Sequence, residues 1–163
     1  MTFTNGSHLA VVEVDPSTGH VALKKYVAVE DCGRIINPII VEGQMVGGIA
    51  QGIGEALFEH LPYDRNGQPL ATSLMDYLIP GAADLPPIEA AHIETPSPLT
   101  VGGYKGVGEA GAAGAPGAVA NAINDALAPL GVCFTHLPIT PEQIAARLLA
   151  AGVEGLAGTV RMS

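Results

Sequence analysis

The sequence predicts an α+β fold: a two-layer arrangement with a mixed sheet and helices on one face, in the order β-β-α-β-α-β followed by a C-terminal helix. Two observations carry this prediction. Segments rich in β-branched residues alternate with long segments whose apolar residues recur every three or four positions. The length of 163 residues suits one domain with its own core. We expect this domain to span residues 1–152, with a loose tail at 153–163.

A β-hairpin is predicted at the start of the chain. His8–Asp15 is rich in β-branched residues, Pro16–Gly19 has turn chemistry, and His20–Asp31 alternates apolar and polar positions. The alternation slips around Lys24 and Lys25. We expect one side of the second strand to carry Val21, Leu23, Val27 and Val29.

The next segment, Ile39 to about His60, has helical periodicity. It also contains five glycines, at positions 43, 47, 48, 52 and 54. Each interior glycine costs a helix about 0.5–1 kcal/mol relative to alanine. We therefore expect this helix to be stabilised by close backbone contact with another chain segment or a ligand.

The remaining elements follow in order. Residues 70–87 contain four helix-breaking Pro and Gly residues and predict a long ordered crossing loop, and Ile88–Thr95 predicts a strand. A helix is expected from Ala110 to Leu130, then a short strand at Val132–Pro138. The last helix is predicted to begin after Thr140 as N-cap and to end near residue 150.

Composition restricts the possible partners. Hydrophobic residues make up 48% of the chain and charged residues only 14%, whereas about a quarter is usual. Much of the surface is therefore expected to be covered by something else. The net charge of -9 argues against binding to nucleic acid or anionic membranes. With no signal peptide pattern and no apolar run of about 20 residues, no membrane insertion is predicted and the cytoplasm is the expected location.

Two sites for chemistry stand out. Glu109 follows a glycine-rich loop (Gly102, Gly103, Gly106, Gly108) and directly precedes a predicted helix. By position alone it is most simply a charge that stabilises the helix N-terminus. Gln44 and Gln51 are seven residues apart on one helix face. Their amides suit the edge of a heteroaromatic ring or an oxo group, or they form an ordinary polar surface stripe. Cys32 and Cys133 have no metal-ligand spacing, and both are expected to be free thiols.

Two long motifs resemble one protein family. They are "DCGRIINPIIVEGQMVGGIAQGIGEAL" and "YKGVGEAGAAGAPGAVANAINDAL", with "DYLIP" and "TPSP" between them. The chain from about residue 5 to 152 is similar to the C-terminal part of the molybdenum-binding large subunits of the xanthine oxidase family. Within this family, the nearest branch looks like the carbon monoxide dehydrogenase-type and aldehyde oxidoreductase-type bacterial hydroxylases.

The resemblance implies roles for named residues. The glutamate of the "GVGE" motif, here Glu109, would be the catalytic base that activates a molybdenum-bound hydroxyl for hydroxylation of an aldehyde, N-heterocycle or similar small substrate, or act in CO oxidation. Gln44 would contact the pterin cofactor. The backbone of Gly106, Val107 and Gly108 would approach the metal's ligands, and Gln51 would line the same pocket. Lys105 would contact a phosphate or be solvated. We expect the apolar, glycine-rich surroundings to bury Glu109, and no residue is predicted to ligate the metal directly.

The resemblance also implies cofactors and partners. The cofactor would be molybdopterin with molybdenum, in the cytosine dinucleotide form, and electrons would leave through iron–sulfur clusters and FAD on partner subunits. Ala110 departs from the usual family residue after the glutamate. The chain also lacks most of a large subunit's length. Three hypotheses follow: one part of a split molybdenum subunit completed by another polypeptide, a non-catalytic assembly remnant, or a small nucleotide-phosphate-binding protein.

Overall fold

The protein was analysed as a computed structural model, which describes residues 2–153. Three strands form one sheet in the order β1-β2-β3, with β1 antiparallel and β3 parallel to β2. The elements are β1 (Asn5–Val14), β2 (Val21–Asp31), α1 (Pro38–Leu57), β3 (Ile88–His92), α2 (Ala110–Leu127) and α3 (Pro141–Ala150), with short 3-10 helices at Ala82–Asp84 and Ala128–Leu130. The α+β class with a mixed sheet is confirmed.

The hairpin is confirmed, but one face assignment within it is wrong. Asp15 N donates to His20 O (2.9 Å), which closes the four-residue connection. The pairing shifts between Val11, which faces Lys25, and Val12, which faces Leu23. Lys24 is thus the extra residue of a bulge, and a one-residue shift exchanges the two faces. Val21 and Leu23 pack on the core as predicted, but beyond the bulge the core residues are Tyr26 and Ala28, and neither Val27 nor Val29 belongs to the core cluster.

The helices cover one face of the sheet. α2 packs against β1 and against α1. The fully buried core side chains include Tyr26, Met45, Ile49, Ile53, Val119, Ile123, Leu127, Ile139, Ile144 and Leu148. On the opposite face Leu9 and Val11 are exposed. Within residues 2–153, no helix has the combination of length and hydropathy that crossing a bilayer requires.

Four of the five glycines of α1 form two groups. A Cβ on Gly48 would lie 2.8 Å from Ala112 N, and one on Gly52 would lie 2.6 Å from Ala115 Cβ. These two glycines therefore let α2 approach the axis of α1, as the sequence predicts. A methyl group placed on Gly43 or Gly47 would have nothing within 4 Å. Their open side is not explained by packing among the described residues.

The predicted strand at Val132–Pro138 is wrong. The segment has no regular secondary structure and belongs to no sheet in the described chain. Phe134 N donates to Asn124 Oδ1 (2.8 Å), and Asn124 Nδ2 donates to Phe134 O (2.9 Å). A single side chain of α2 thus satisfies the backbone groups that a neighbouring strand would otherwise bond.

The other expectations for the second half can be compared directly. Residues 70–87 contain only the short 3-10 helix as regular structure, as the predicted crossing loop requires. β3 ends at His92, three residues before the predicted end of its strand. Thr140 caps α3, and its Oγ1 accepts from Gln143 N at 3.3 Å. Of the predicted loose tail, only residue 153 lies within the described residues.

Candidate functional site

The end of β2, the start of α1 and the start of α2 meet at one end of the sheet. Gly33 adopts φ +69°, which favours glycine, and turns the chain after β2. Lys105 N donates to Cys32 O (2.8 Å), and Arg34 N donates to Gly103 O (3.2 Å). Gly106 forms a parallel bridge to Phe3. The glycine-rich loop before α2 is therefore held by backbone hydrogen bonds along residues 103–106.

Helix α1 begins at the same end. Asn37 Oδ1 accepts from Ile39 N (3.1 Å), and Pro38 occupies the first helical turn, where its missing N–H costs nothing. A methyl on Gly111 would overlap Met45 O and lie 2.7 Å from Ile49 N. The first turn of α2 thus lies directly on the N-terminal half of α1.

Gln44 and Gln51 are both exposed, beside this crossing. At 100° per residue, Gly43, Gln44, Gly47 and Gln51 share about 100° of the α1 surface. Gly48, at the edge of that stripe, contacts α2. We call the stripe, together with Gly106, Gly108 and Glu109, the open face.

Glu109 lies at the N-cap position of α2, two residues before Gly111. Its backbone carbonyl accepts from Ala113 N (3.0 Å), but its carboxylate caps none of the helix amides. The side chain is exposed. The expectation that its surroundings bury Glu109 is therefore wrong for this chain, because the neighbouring glycines have no side chains to cover it.

The loop residues before Glu109 differ in their surroundings. Gly106 and Gly108 are exposed, and nothing lies within 4 Å of a methyl placed on Gly108. Val107 is half-buried and packs on the core, and its carbonyl accepts from Ala110 N at 3.2 Å. The loop is thus anchored by Val107 while the backbone on both sides of it is uncovered.

Lys105 forms an ion pair. Its Nζ lies 3.1 Å from Asp31 Oδ1 and donates to Asn5 Oδ1 at 3.3 Å, and both ion-pair partners are largely buried. The sequence predicts that Lys105 either contacts a phosphate or is solvated. The structure shows a third arrangement, the ion pair with Asp31. A contact between Lys105 and a cofactor stays a prediction.

Asp31 is a residue that sequence reasoning missed. It is buried, and its Oδ1 also accepts from Gly33 N (2.8 Å) and Thr95 N (3.1 Å). Hydrogen bonds from Thr95, then the Gly33 amide and the Lys105 ammonium, hold the pKa of Asp31 well below its usual range. A carboxylate at the end of an apolar strand, directly before Cys-Gly, is the signal that could have found it.

Acid is expected to remove the stabilisation that Asp31 provides. Because folding lowers its pKa, the carboxylate stabilises the folded state above its unfolded pKa of about 3.9 and loses this effect as pH falls below that value. Urea unfolding of the purified chain should show Asp31→Asn less stable than wild type at pH 7. The difference should shrink steadily between pH 5 and pH 2.5 (about the range in which a paired carboxylate titrates). A difference independent of pH would contradict this account.

A second set of residues that the sequence does not indicate lies on the core side of β2, where Tyr26 and Glu30 contact His8 of β1. His8 Nε2 is 2.6 Å from Glu30 Oε1, and His8 Nδ1 is 2.7 Å from Tyr26 Oη. All three are buried. Burial, and secondarily Glu30, raise the pKa of Tyr26. The His8 ring lies so close to Gly114 of α2 that a methyl there would be 2.7 Å from it. The sequence shows these residues only as parts of strands.

Large apolar side chains are exposed around the open face. Ile39 is 81% and Ile36 76% exposed next to the start of α1, and Phe3, which bridges Gly106, is 74% exposed. Val101, in the loop before α2, is 98% exposed. Large exposed apolar side chains also occur elsewhere, including Leu74 (75%) and Met75 (89%), and exposure of this extent is typical of a surface that binds another protein segment.

The side chains of the open face suit an organic cofactor better than a metal ion held directly by the protein. They contain no cluster of three or more His, Cys, Asp or Glu side chains that could hold a metal ion. The open face instead offers two amide side chains, a carboxylate and bare backbone at Gly106 and Gly108. Such groups suit hydrogen bonding to a large organic cofactor whose metal is held by the cofactor itself.

Comparison with known proteins identifies the family of this chain. Residues 1–86, just over half of the chain, match the molybdopterin cofactor-binding domain family, and the chain belongs to that family. It is 54% identical over 142 residues to the nicotine 6-hydroxylase large subunit of Paenarthrobacter nicotinovorans, covering 87% of this chain and 17% of that protein. The resemblance to molybdenum-binding large subunits is thereby confirmed.

Solved structures show the same similarity. Quinoline 2-oxidoreductase from Pseudomonas putida 86 superposes with a TM-score of 0.86 at 53% identity, over 90% of this chain and 19% of that one. The reconstituted CO dehydrogenase from Oligotropha carboxidovorans gives 0.87 at 33% identity, over 91% of this chain and 18% of that one. The chain thus spans less than a fifth of the length of these relatives.

Proposed function

We propose that this chain forms one side of the molybdenum cofactor site of a molybdenum hydroxylase and supplies its catalytic base, Glu109. The remaining part of the molybdenum subunit would cover the open face and provide the other cofactor contacts. The proposal is supported by the relatives, which include a hydroxylase and an oxidoreductase. It is also supported by the exposed apolar residues around the open face.

The observation that carries the proposal is the state of Glu109. A carboxylate that caps a helix accepts from its free N-terminal amides, and Glu109 does not. Its backbone is fixed by the helix start, while its side chain is exposed beside bare backbone. A base that is fixed in position and has no hydrogen-bond partner among residues 2–153 can accept a proton from a group bound in front of it.

The other residues of the open face have supporting roles in this proposal. The Gln44 amide would bond the pterin, and Gln51 would line the same pocket. The backbone at Gly106, Val107 and Gly108 would lie against the cofactor. When bound, molybdopterin with molybdenum supplies the two-electron oxidation, and Glu109 removes the proton that must leave during hydroxylation with oxygen from water. An aldehyde or N-heterocycle is the substrate class, and CO is the alternative.

The proposed assembly follows from the same reasoning. The cofactor would be the cytosine dinucleotide form, with iron–sulfur clusters and FAD on partner subunits that carry electrons away. The alternative of a free-standing phosphate-binding protein is not favoured, because the positive charge of Lys105 in the glycine-rich loop is already neutralised by Asp31.

Copurification tests the proposal. The chain would be produced alone and together with the remaining part of the large subunit and the iron–sulfur and flavin subunits. Each sample would be analysed for molybdenum and for cytidine nucleotide released by acid. We expect about one molybdenum per complex and essentially none on the isolated chain, because one side of a site leaves the cofactor exposed.

Two results would contradict this expectation. A stable complex without molybdenum would support a non-catalytic assembly role. Tight nucleotide binding by the isolated chain would support the phosphate-binding alternative.

A further inference from the structure

We propose that Asp31 is a positioning residue for Glu109: it joins the end of β2 to the loop before α2 and so fixes where the helix that carries the base begins. This inference rests on the proposed function of Glu109. The joining contacts themselves are independent of it. They consist of the three donors gathered on Asp31 Oδ1, which we call the Asp31 clamp: the amides of Gly33 and Thr95 and the Lys105 ammonium.

The clamp connects three segments that have little regular structure of their own. Gly33 belongs to the turn after β2, Thr95 follows β3, and Lys105 lies in the glycine-rich loop. One buried carboxylate oxygen binds all three, at 2.8, 3.1 and 3.1 Å. Hydrogen bonds to an ionised group are stronger than neutral ones, so this oxygen is well suited to hold loops in one arrangement.

Only a short stretch of chain separates the clamp from the base. Between Lys105 and Glu109 lie Gly106, Val107 and Gly108, and Val107 alone packs on the core. Glycine at the other two positions leaves the backbone free to rotate. If the Lys105 side chain were released, the backbone contacts of residues 103–106, Val107 and the first helical hydrogen bonds would be the remaining restraints on Glu109.

The neighbouring residue restrains the other side of Glu109. Successive side chains of a strand point to opposite faces, and Glu30 points to the core, where it binds His8. The His8 ring packs against Gly114, five residues after Glu109. Glu30 therefore restrains α2 after the base, through His8, and Asp31 restrains the loop before the base. Asp31 is the member that can be tested without disturbing the core.

Asparagine is the appropriate replacement. It keeps the size of Asp31 but places an amide where three donors converge and leaves the largely buried Lys105 without its counter-charge. Asp15→Asn is the matched control, because Asp15 also accepts several local hydrogen bonds, from Ser17 and Thr18, in the distant hairpin connection. Lys105→Arg keeps the ion pair and Lys105→Met removes it.

The test uses the assembled enzyme and two readouts. Hydrogen–deuterium exchange reports the amides of residues 103–110, and steady-state kinetics reports kcat and KM, each with molybdenum content measured. In Asp31→Asn we expect exchange in 103–110 to accelerate by about tenfold or more, since breaking a buried charge pair is strongly destabilising locally. We expect kcat to fall by up to about 10²-fold, the effect of a misplacement near 1 Å, with KM and molybdenum retained. Lys105→Met should behave alike, Lys105→Arg should keep the exchange of residues 103–110 close to that of the wild type, and Asp15→Asn should change neither readout.

Unchanged exchange at 103–110 in Asp31→Asn would overturn the clamp. Faster exchange with unchanged kcat would overturn the positioning role while leaving the clamp in place. Failure of the proposed function has a different signature: Glu109→Gln would retain turnover, whatever the exchange of residues 103–110 shows.

Discussion

Glu109→Gln in the assembled enzyme is expected to reduce kcat by about 10²–10⁴-fold, the usual contribution of a general base. Glutamine has nearly the same shape but cannot take up a proton at neutral pH. Because the carboxylate is exposed and caps no helix amide, its replacement removes no capping hydrogen bond among the described residues. Loss of its charge at the start of α2 should cost about 0.3–1 kcal/mol of stability, so molybdenum content should equal that of the wild type and the large loss should appear in turnover.

A matched variant separates catalysis from helix stabilisation. Glu142 lies in the first turn of α3, where it is the acidic residue nearest that helix start, and it is exposed. Glu142→Gln should cost about 0.3–1 kcal/mol of stability, the usual effect of a charge near a helix N-terminus, with kcat unchanged. Turnover of Glu109→Gln within about tenfold of wild type would be too small a loss for a general base and would reject the assignment.

The sequence predicts the elements of this fold better than their faces. Periodicity locates α1 and α2 because their apolar residues recur at helical spacing over about five turns. Periodicity does not show that the bulge at Lys24 exchanges the two faces of β2. Only the strand pairing shows which side of β2 faces the core after the bulge. The segment at Val132–Pro138 has the composition of a strand, but the amide of Asn124 replaces the partner strand, and no local pattern reveals that substitution.

The residues of the candidate site also differ in how far the sequence indicates them. The sequence singles out Glu109, Gln44 and the loop glycines as candidates, from their positions beside predicted helices and from the family motifs. The residues that hold the site together cannot, because Asp31 and Lys105 are 74 positions apart and their pairing depends on the sheet. In the proposed assembly, burial of Glu109 would depend on groups outside this chain, and the composition around Glu109 does not predict that burial.

The α1–α2 crossing should be the part of the chain least tolerant of added volume. Gly111→Ala places a methyl against Met45 O and Ile49 N, which are backbone atoms that cannot rotate away. We expect a loss of about 3 kcal/mol in the free energy of unfolding, at the upper end of the usual cost of overpacking. Urea unfolding of the purified chain measures it. Because Gly111 follows Glu109 by two residues, the same variant in the assembled enzyme should also lower kcat.

Gly117→Ala is the control in the same helix. Nothing lies within 4 Å of a methyl at Gly117, so the substitution should raise stability by about 0.5–1 kcal/mol through the better helix propensity of alanine. The two variants make the same chemical change in one helix, and the opposite signs isolate the close approach of α1. If Gly111→Ala were as stable as Gly117→Ala, the helices would have room to separate, and contact between them would not determine where α2 begins.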